Sequence, residues 1–144
     1  MPDKAKDVLN GDIFDLFDSF IEKNSISKQV KLDDNLIVEL RTISTEELLE
    51  AESISMTNID NMPVDVVFKA RAINILLRAI TAINGVKIQH TGDSLKDEDN
   101  RDKLREKLLK LPPQLIDKLI DEYRKLTEQQ DKLIQDLDNN IENF

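Results

Sequence analysis

Hydrophobic and polar positions alternate along this chain in more than one rhythm, and each rhythm predicts an element. Over residues 12–23, DIFDLFDSFIEK, the apolar residues Ile13, Leu16, Phe17, Phe20 and Ile21 fall at helical spacing with acids between them. That is an amphipathic helix entered from Gly11 or Asp12. The period changes over residues 28–43, KQVKLDDNLIVELRTI, where Val30 and Leu32 alternate with lysines and Ile37, Val38 and Leu40 are strand formers. With Asp33-Asp34-Asn35 as a turn between them, this stretch predicts a β-hairpin.

Helical spacing then returns. Ser44-Thr45-Glu46-Glu47 has the form of a capping box and opens a short helix to about Ile54. Pro63 suits the first position of the next helix, and Gly85 suits a left-handed cap at its end. The span from 63 to 84 would hold about 22 residues and measure about 33 Å. After a brief extended segment at Val86–Ile88 and the polar run GDSLKDEDNRD, a helix is predicted through Leu104 and Leu108 to Leu111. Pro112-Pro113 interrupts it. The last helix repeats apolar residues at Ile116, Leu119, Tyr123, Leu126, Leu133 and Leu137, a heptad stripe with Gln130 as the polar residue in its seam.

The predicted class is α+β, mostly α: a small N-terminal β-hairpin packed on a helical bundle, with a long C-terminal amphipathic helix. Residues 1–111 would form the helical domain with its hairpin (about 28–43) and central helix (about 63–84). Residues 112–144 would form the heptad-patterned helix and tail.

Composition narrows the function classes. The chain has 144 residues, 40% of them hydrophobic, enough for a core in one domain. Aromatics are few, five phenylalanines and one tyrosine, so that core must be largely aliphatic. A net charge of −9, with cations scattered among acids, argues against a nucleic-acid-binding face, which needs clustered cations. Without cysteine there is no disulfide, thiolate nucleophile or sulfur-ligated zinc. MPDKAKDVLNGD lacks the apolar stretch of a signal peptide, so export by that route is not expected.

The most apolar run, VVFKARAINILLRAITAING at 66–85, raises the question of a membrane span. Lys69, Arg71 and Arg78 answer it, since each charge placed centrally in a bilayer costs about 2.5–3.5 kcal/mol. Arg71, Asn74, Arg78 and Thr81 share one narrow sector of the helix and leave a basic stripe. Either it pairs with the chain's own acids, of which residues 33–60 hold eight, or it docks an acidic partner. Internal pairing is the favoured reading.

Candidate chemistry is sparse. His90 is the only histidine, which excludes a paired-histidine metal site. The acidic run from Asp97 to Asp102 fails the calcium-loop pattern, which needs glycine at its sixth position and glutamate at its twelfth; here these are Asp102 and Leu108. Gly11, Gly85 and Gly92 are too scattered for a phosphate loop. Carboxylate neighbours such as Asp33/Asp34 and Glu46/Glu47 carry no chemistry without a cleft that shifts their pKa. No catalytic residue, cofactor or metal is expected.

The order of segments LIVELRTI, STEELLEAE, MPVDVVFKARAINILLRAITAING and LPPQLIDKLIDEYRKLTEQQ resembles the small tail-assembly chaperones and baseplate-hub assembly proteins of tailed bacteriophages. The likeness covers roughly residues 30–130. It implies a non-enzymatic role: binding another tail or baseplate protein, keeping it soluble and helping to place it. It also implies the host cytoplasm during assembly, or the virion tail, as the location. The expected interface is the stripe Ile116, Leu119, Tyr123, Leu126, Leu133 and Leu137, with Arg71 and Arg78. The partners would be other tail proteins or a second copy meeting through the C-terminal helix, with no nucleic acid and no membrane span. The alternatives are a host-encoded helical adaptor or regulator and, remotely, a small metal-dependent hydrolase.

Overall fold

A computed structural model of the chain describes residues 14–22, 24–55, 63–88 and 93–142, with side chains placed for all of these except 54, 55, 94 and 137–142. Helix α1 covers 14–22. It is followed by β1 (Ser27–Asp33), β2 (Leu36–Arg41), α2 (Thr45–Ser55), α3 (Val64–Ala79), β3 (Ile80–Ile83), β4 (Val86–Lys87), α4 (Ser94–Leu109) and α5 (Pro113–Glu142). The fold is α+β and mostly α.

The strands make one antiparallel sheet in the order β1-β2-β3-β4. The first hairpin matches the expectation, with Val30 opposite Val38 and Lys28 opposite Leu40. Its turn is held by Asn35 N–H donating to Asp33 Oδ1 at 2.6 Å. Val30, Leu32, Val38 and Leu40 point to one face and are buried, while Gln29, Lys31 and Ile37 point to the other and are exposed. A sheet apolar on one side must be covered there. Leu76, Leu77 and Ala79 of α3, Leu104 and Leu108 of α4, and Ile116, Leu119 and Leu126 of α5 join those strand residues and Ile80 in a single core. The first half of α5 thus shares one core with the strands, α3 and α4, and the boundary expected at 111/112 runs through that core.

The central helix is the main correction. It stops at Ala79, and Ile80 is already extended with φ −74° and ψ 115°. The next residues pair with β2, Leu40 opposite Ile80 and Val38 opposite Ile83. β-Branched Ile80, Thr81 and Ile83 suit this extended backbone. Asn84 (φ 51°) and Gly85 (φ 80°) then form the two-residue turn to β4, both left-handed as that hairpin requires. Gly85 therefore closes a hairpin and caps no helix. Asn84 also staples the turn to β2: its N–H donates to Ile37 O at 2.8 Å, its Oδ1 accepts from Ile37 N–H at 2.8 Å, and its Nδ2 donates to Asn35 O at 2.9 Å. The ING segment quoted for the phage resemblance is thus a strand and its turn.

The capping box at α2 is present. Glu47 N–H donates to Ser44 Oγ at 3.2 Å, and Ser44 N–H donates to Glu47 Oε1 at 3.1 Å. Arg41, at the end of β2, donates twice to the same carboxylate, at 2.9 and 2.5 Å. Helix start and strand end are thereby locked together. At α5, Lys28 of β1 pairs with Glu122, and Lys118 Nζ donates to Lys31 O at 2.7 Å, which seats the helix along β1. No helix among the described residues is long and apolar enough to cross a membrane.

Candidate functional site

Helix α1 leaves the whole of its apolar side uncovered. At 100° per residue, Phe14, Leu16, Phe17, Phe20 and Ile21 fill one side of it, while Asp15, Asp18, Ser19 and Glu22 fill the other. An amphipathic pattern of this quality ordinarily marks a face turned to the core. Here the apolar residues are 49–68% exposed, and every described residue of the helix is on the surface. Phenylalanine side chains bury about 150–250 Å² each when covered. The three rings therefore leave a patch of a few hundred Å², the scale at which an exposed apolar surface marks an interaction site.

The helix is fixed at its root. Ser25 N–H donates to Ile21 O at 3.0 Å, and buried Asn24 donates through Nδ2 to Phe20 O at 2.8 Å. Gln130 of α5 donates through Nε2 to Asn24 O at 2.7 Å and to Thr42 Oγ1 at 3.1 Å. Thr42 N–H reaches Ile26 O at 3.0 Å, and its hydroxyl accepts from Ile26 N–H at 3.3 Å. The polar residue in the α5 seam is thus the joint between α1, the end of β2 and α5. Beside it lies an open cleft of about 500 Å³ lined by Ile26, Ser27, Gln129, Lys132, Leu133 and Asp136. From residue 131 to 136 every residue of α5 is exposed, Leu133 and Ile134 included.

The residues expected at an interface divide. Ile116, Leu119 and Leu126 are buried inside the chain, where they cover the sheet, so that part of the stripe is not turned to a partner. Tyr123 packs at the margin of the same core, and burial pushes its phenol up against an opposing hydrogen bond with the Ile43 backbone. Leu133 is exposed beside the root of α1, while the Leu137 side chain lies outside the described residues.

Arg71 and Arg78 both pair with acids of α2, Arg78 enclosed and Arg71 with its side chain 44% exposed. Arg71 Nη2 lies 2.5 Å from Glu52 Oε1, and Arg78 Nε lies 3.3 Å from Glu50 Oε2. The Arg78 side chain is only 5% exposed and also donates to Asn74 O at 3.1 Å. It is therefore not available as a docking residue. Arg101 approaches the same Glu50 carboxylate at 3.9 Å across an open cleft of about 950 Å³ between α2 and α4. Four acids, Glu46, Glu50, Glu98 and Asp102, stand there among three arginines, Arg78, Arg101 and Arg105, so the cleft is near charge balance with one carboxylate in excess.

Among the described residues no group of three or more His, Asp or Glu could hold a metal ion. His90 lies outside the described residues. Three described carboxyls are held below their ordinary values: Asp121 chiefly by its hydrogen bond from Lys125, Glu122 chiefly by its hydrogen bond from Lys28, and Glu47 at the start of α2. At Glu47 burial acts the other way, but hydrogen bonds from Arg41 and the Ser44 backbone, with the Arg41 charge, outweigh it. This accounts for a structural lock at a helix start.

The surface missed in the sequence is the α1 face. A signal for it was present: three of the five phenylalanines fall within seven residues, at 14, 17 and 20. That concentration is more than one turn of a peripheral helix needs in an aliphatic core. Compared with known protein families, curated proteins and solved structures, the chain matches none.

Proposed function

We propose that this protein works by protein–protein contact, presenting the apolar face of α1 and the exposed end of α5 to another protein. The observation that carries the reading is the uncovered α1 face, five large apolar side chains on a helix whose root is hydrogen-bonded into the body. Helices offered in this way are taken into apolar grooves through anchors at i, i+3 and i+7, and Phe14, Phe17 and Ile21 have that spacing. A net charge of −9 disfavours nucleic acid and anionic lipid as the counterpart. The layout of residues 30–130 supports the narrower reading of a phage tail or baseplate assembly component, which would hold a tail protein before it is placed.

The test is affinity purification of the full chain from its native source, with mass spectrometry of what co-purifies. A parallel purification uses the Phe14→Ser/Phe17→Ser/Phe20→Ser variant. A tail or baseplate protein that is retained by the wild type and lost from the variant supports both levels of the reading. Loss of a partner unrelated to phage tails keeps the contact function and overturns the tail assignment. Identical protein sets from both forms overturn the role of α1.

A further inference from the structure

The β1 edge of the sheet is closed at one end and open at the other. In an antiparallel ladder, residues alternate between those bonded to the neighbouring strand and those that turn their N–H and C=O away from it. Thr42 N–H donates to Ile26 O at 3.0 Å, which fixes the alternation in this hairpin. Ile26, Lys28 and Val30 turn their backbone groups to β2, so Ser27, Gln29 and Lys31 turn theirs outward. Towards Asp33 the edge is blunted: Lys118 Nζ donates to Lys31 O at 2.7 Å, and the register shifts between Lys31 and Asp33. Lysines and bulges are common devices against edge pairing, as are very short strands, and β4 at the other edge has only two residues. Ser27 and Gln29 have no such cover. Both are exposed, and their outward groups have no partner among the described residues. This open end borders the cleft of about 500 Å³ between Ile26 and Ser27 and the α5 residues Gln129, Lys132, Leu133 and Asp136. No described residue of β2 or α1 lines the cleft, which places it on the outer side of β1.

We infer that an extended segment of a partner protein adds to β1 as a further strand, hydrogen-bonded to Ser27 and Gln29, with an aliphatic side chain seated in the cleft between Ile26 and Leu133. This rests on the reading of a protein that works by contact, and names a form of segment it takes on a surface separate from the α1 face. The occupant follows from the backbone. Two outward-facing residues in alternate positions offer two donors and two acceptors, spaced about 6.6–6.8 Å apart along the strand. An extended chain has its own donors and acceptors free at that repeat, whereas a helix has spent them internally. The side chains then follow from the pleat. Ile26 shares its side of β1 with Lys28, which meets Glu122 of α5, and with Val30 in the core. A partner residue opposite Ile26 points to that same side, into the cleft. Lys132 and Asp136 bring one charge of each sign to the cleft, so apolar contact with Ile26 and Leu133 does the selecting. In edge-strand recognition, main-chain hydrogen bonds give affinity and such pockets give specificity. A second copy of this chain fits less well. The antiparallel register that bonds Ser27 to Gln29 of another copy sets the two Lys28 side chains directly opposite each other, and like charges so placed are destabilising.

The probe is a library of random linear peptides displayed on phage and selected against the full chain, with the enriched peptide then made synthetically. Added to the protein, that peptide should slow amide exchange at Ser27 and Gln29, whose N–H groups are open, and leave Lys28 and Val30 in the ladder little changed. Gln29→Pro deletes an N–H that the β1–β2 ladder does not use, and Leu133→Asp puts a charge in the cleft. Each should weaken peptide binding by about tenfold or more. Gln29 and Leu133 are both exposed, and if Gln29→Pro nonetheless fails to fold, Leu133→Asp and the exchange pattern decide. Phe14→Ser/Phe17→Ser/Phe20→Ser should bind the peptide as the wild type does. Binding lost in that variant assigns the peptide to α1 and overturns the edge proposal. A selection that enriches no binding peptide, or one whose binding leaves Ser27 and Gln29 exchange unchanged or survives Leu133→Asp undiminished, also overturns it, and leaves the α1 reading to its own purification test.

Discussion

α1 and α5 carry the same kind of sequence pattern and meet opposite fates. In α5 the apolar side lies on the sheet, and Ile116, Leu119 and Leu126 disappear into the core between the strands and α3. In α1 an equally continuous apolar side stays in solvent, from Phe14 to Ile21. The sheet has one apolar face to cover, and α3, α4 and α5 cover it. Among the described residues α1 is tied to the body through hydrogen bonds at Asn24 and its neighbours, and its apolar side is left uncovered. Amphipathicity states that a helix has a side to bury. Whether the chain itself supplies the surface depends on how many helices compete for the sheet. α5 shows both outcomes within one element, since its stripe is internal to Leu126 and outside by Leu133.

The contrast can be broken at four points. Leu119→Ala removes a fully buried side chain from the covered stripe and should destabilise by about 2–5 kcal/mol in a thermal or urea melt. A near-wild-type midpoint would mean that α5 does not rest on the sheet. Gln130→Ala deletes the donor to Asn24 O and Thr42 Oγ1 and should cost about 1–3 kcal/mol, with faster amide exchange at 24–26 and unchanged exchange in β3. Equal changes in both places would show that the joint is not local.

A smaller effect is expected in acid. The Glu47 carboxyl has its pKa lowered on folding, so its contribution is fully present above the unfolded value of 4.5 and is lost as pH falls below it through the folded value. Melting temperatures below that pH should fall less steeply in Glu47→Gln than in wild type. Parallel slopes would remove the lock from the account. The smallest effect on stability belongs to Phe17→Ser on α1, within about ±0.5 kcal/mol of wild type, because nothing in the described chain covers that ring. A loss on the scale of Leu119→Ala would place α1 in the core.

Local signals with a single physical meaning were legible in the sequence. Ser44 and Glu47 satisfy each other's backbone at any helix start, wherever the helix goes. Alternation at Val30, Leu32, Val38 and Leu40 needs only a strand with one covered face. Leu76 and Leu77 stand in the most apolar run of the chain, and both are buried. The end of α3 was harder to place. Residues 80–83, ITAI, continue an apolar helical pattern and also make a β-branched strand, and Asn84-Gly85 serves a helix end as well as a hairpin turn. What resolves the ambiguity is distant in sequence: β2 offers Val38 and Leu40 as ladder partners, and the Ile37 and Asn35 backbones engage Asn84.

The sequence by itself determined the class of fold, the first hairpin, the cap of α2 and the two-sided character of α1 and α5. Each depends on interactions over a few residues or on a periodicity carried by one segment. Only the tertiary structure decided that α3 gives way to a strand, that Arg78 is enclosed with Glu50, and that the α5 stripe is internal while the α1 face is open. Those outcomes depend on which surfaces compete for the one apolar face of the sheet, and that competition is settled between segments far apart in the chain.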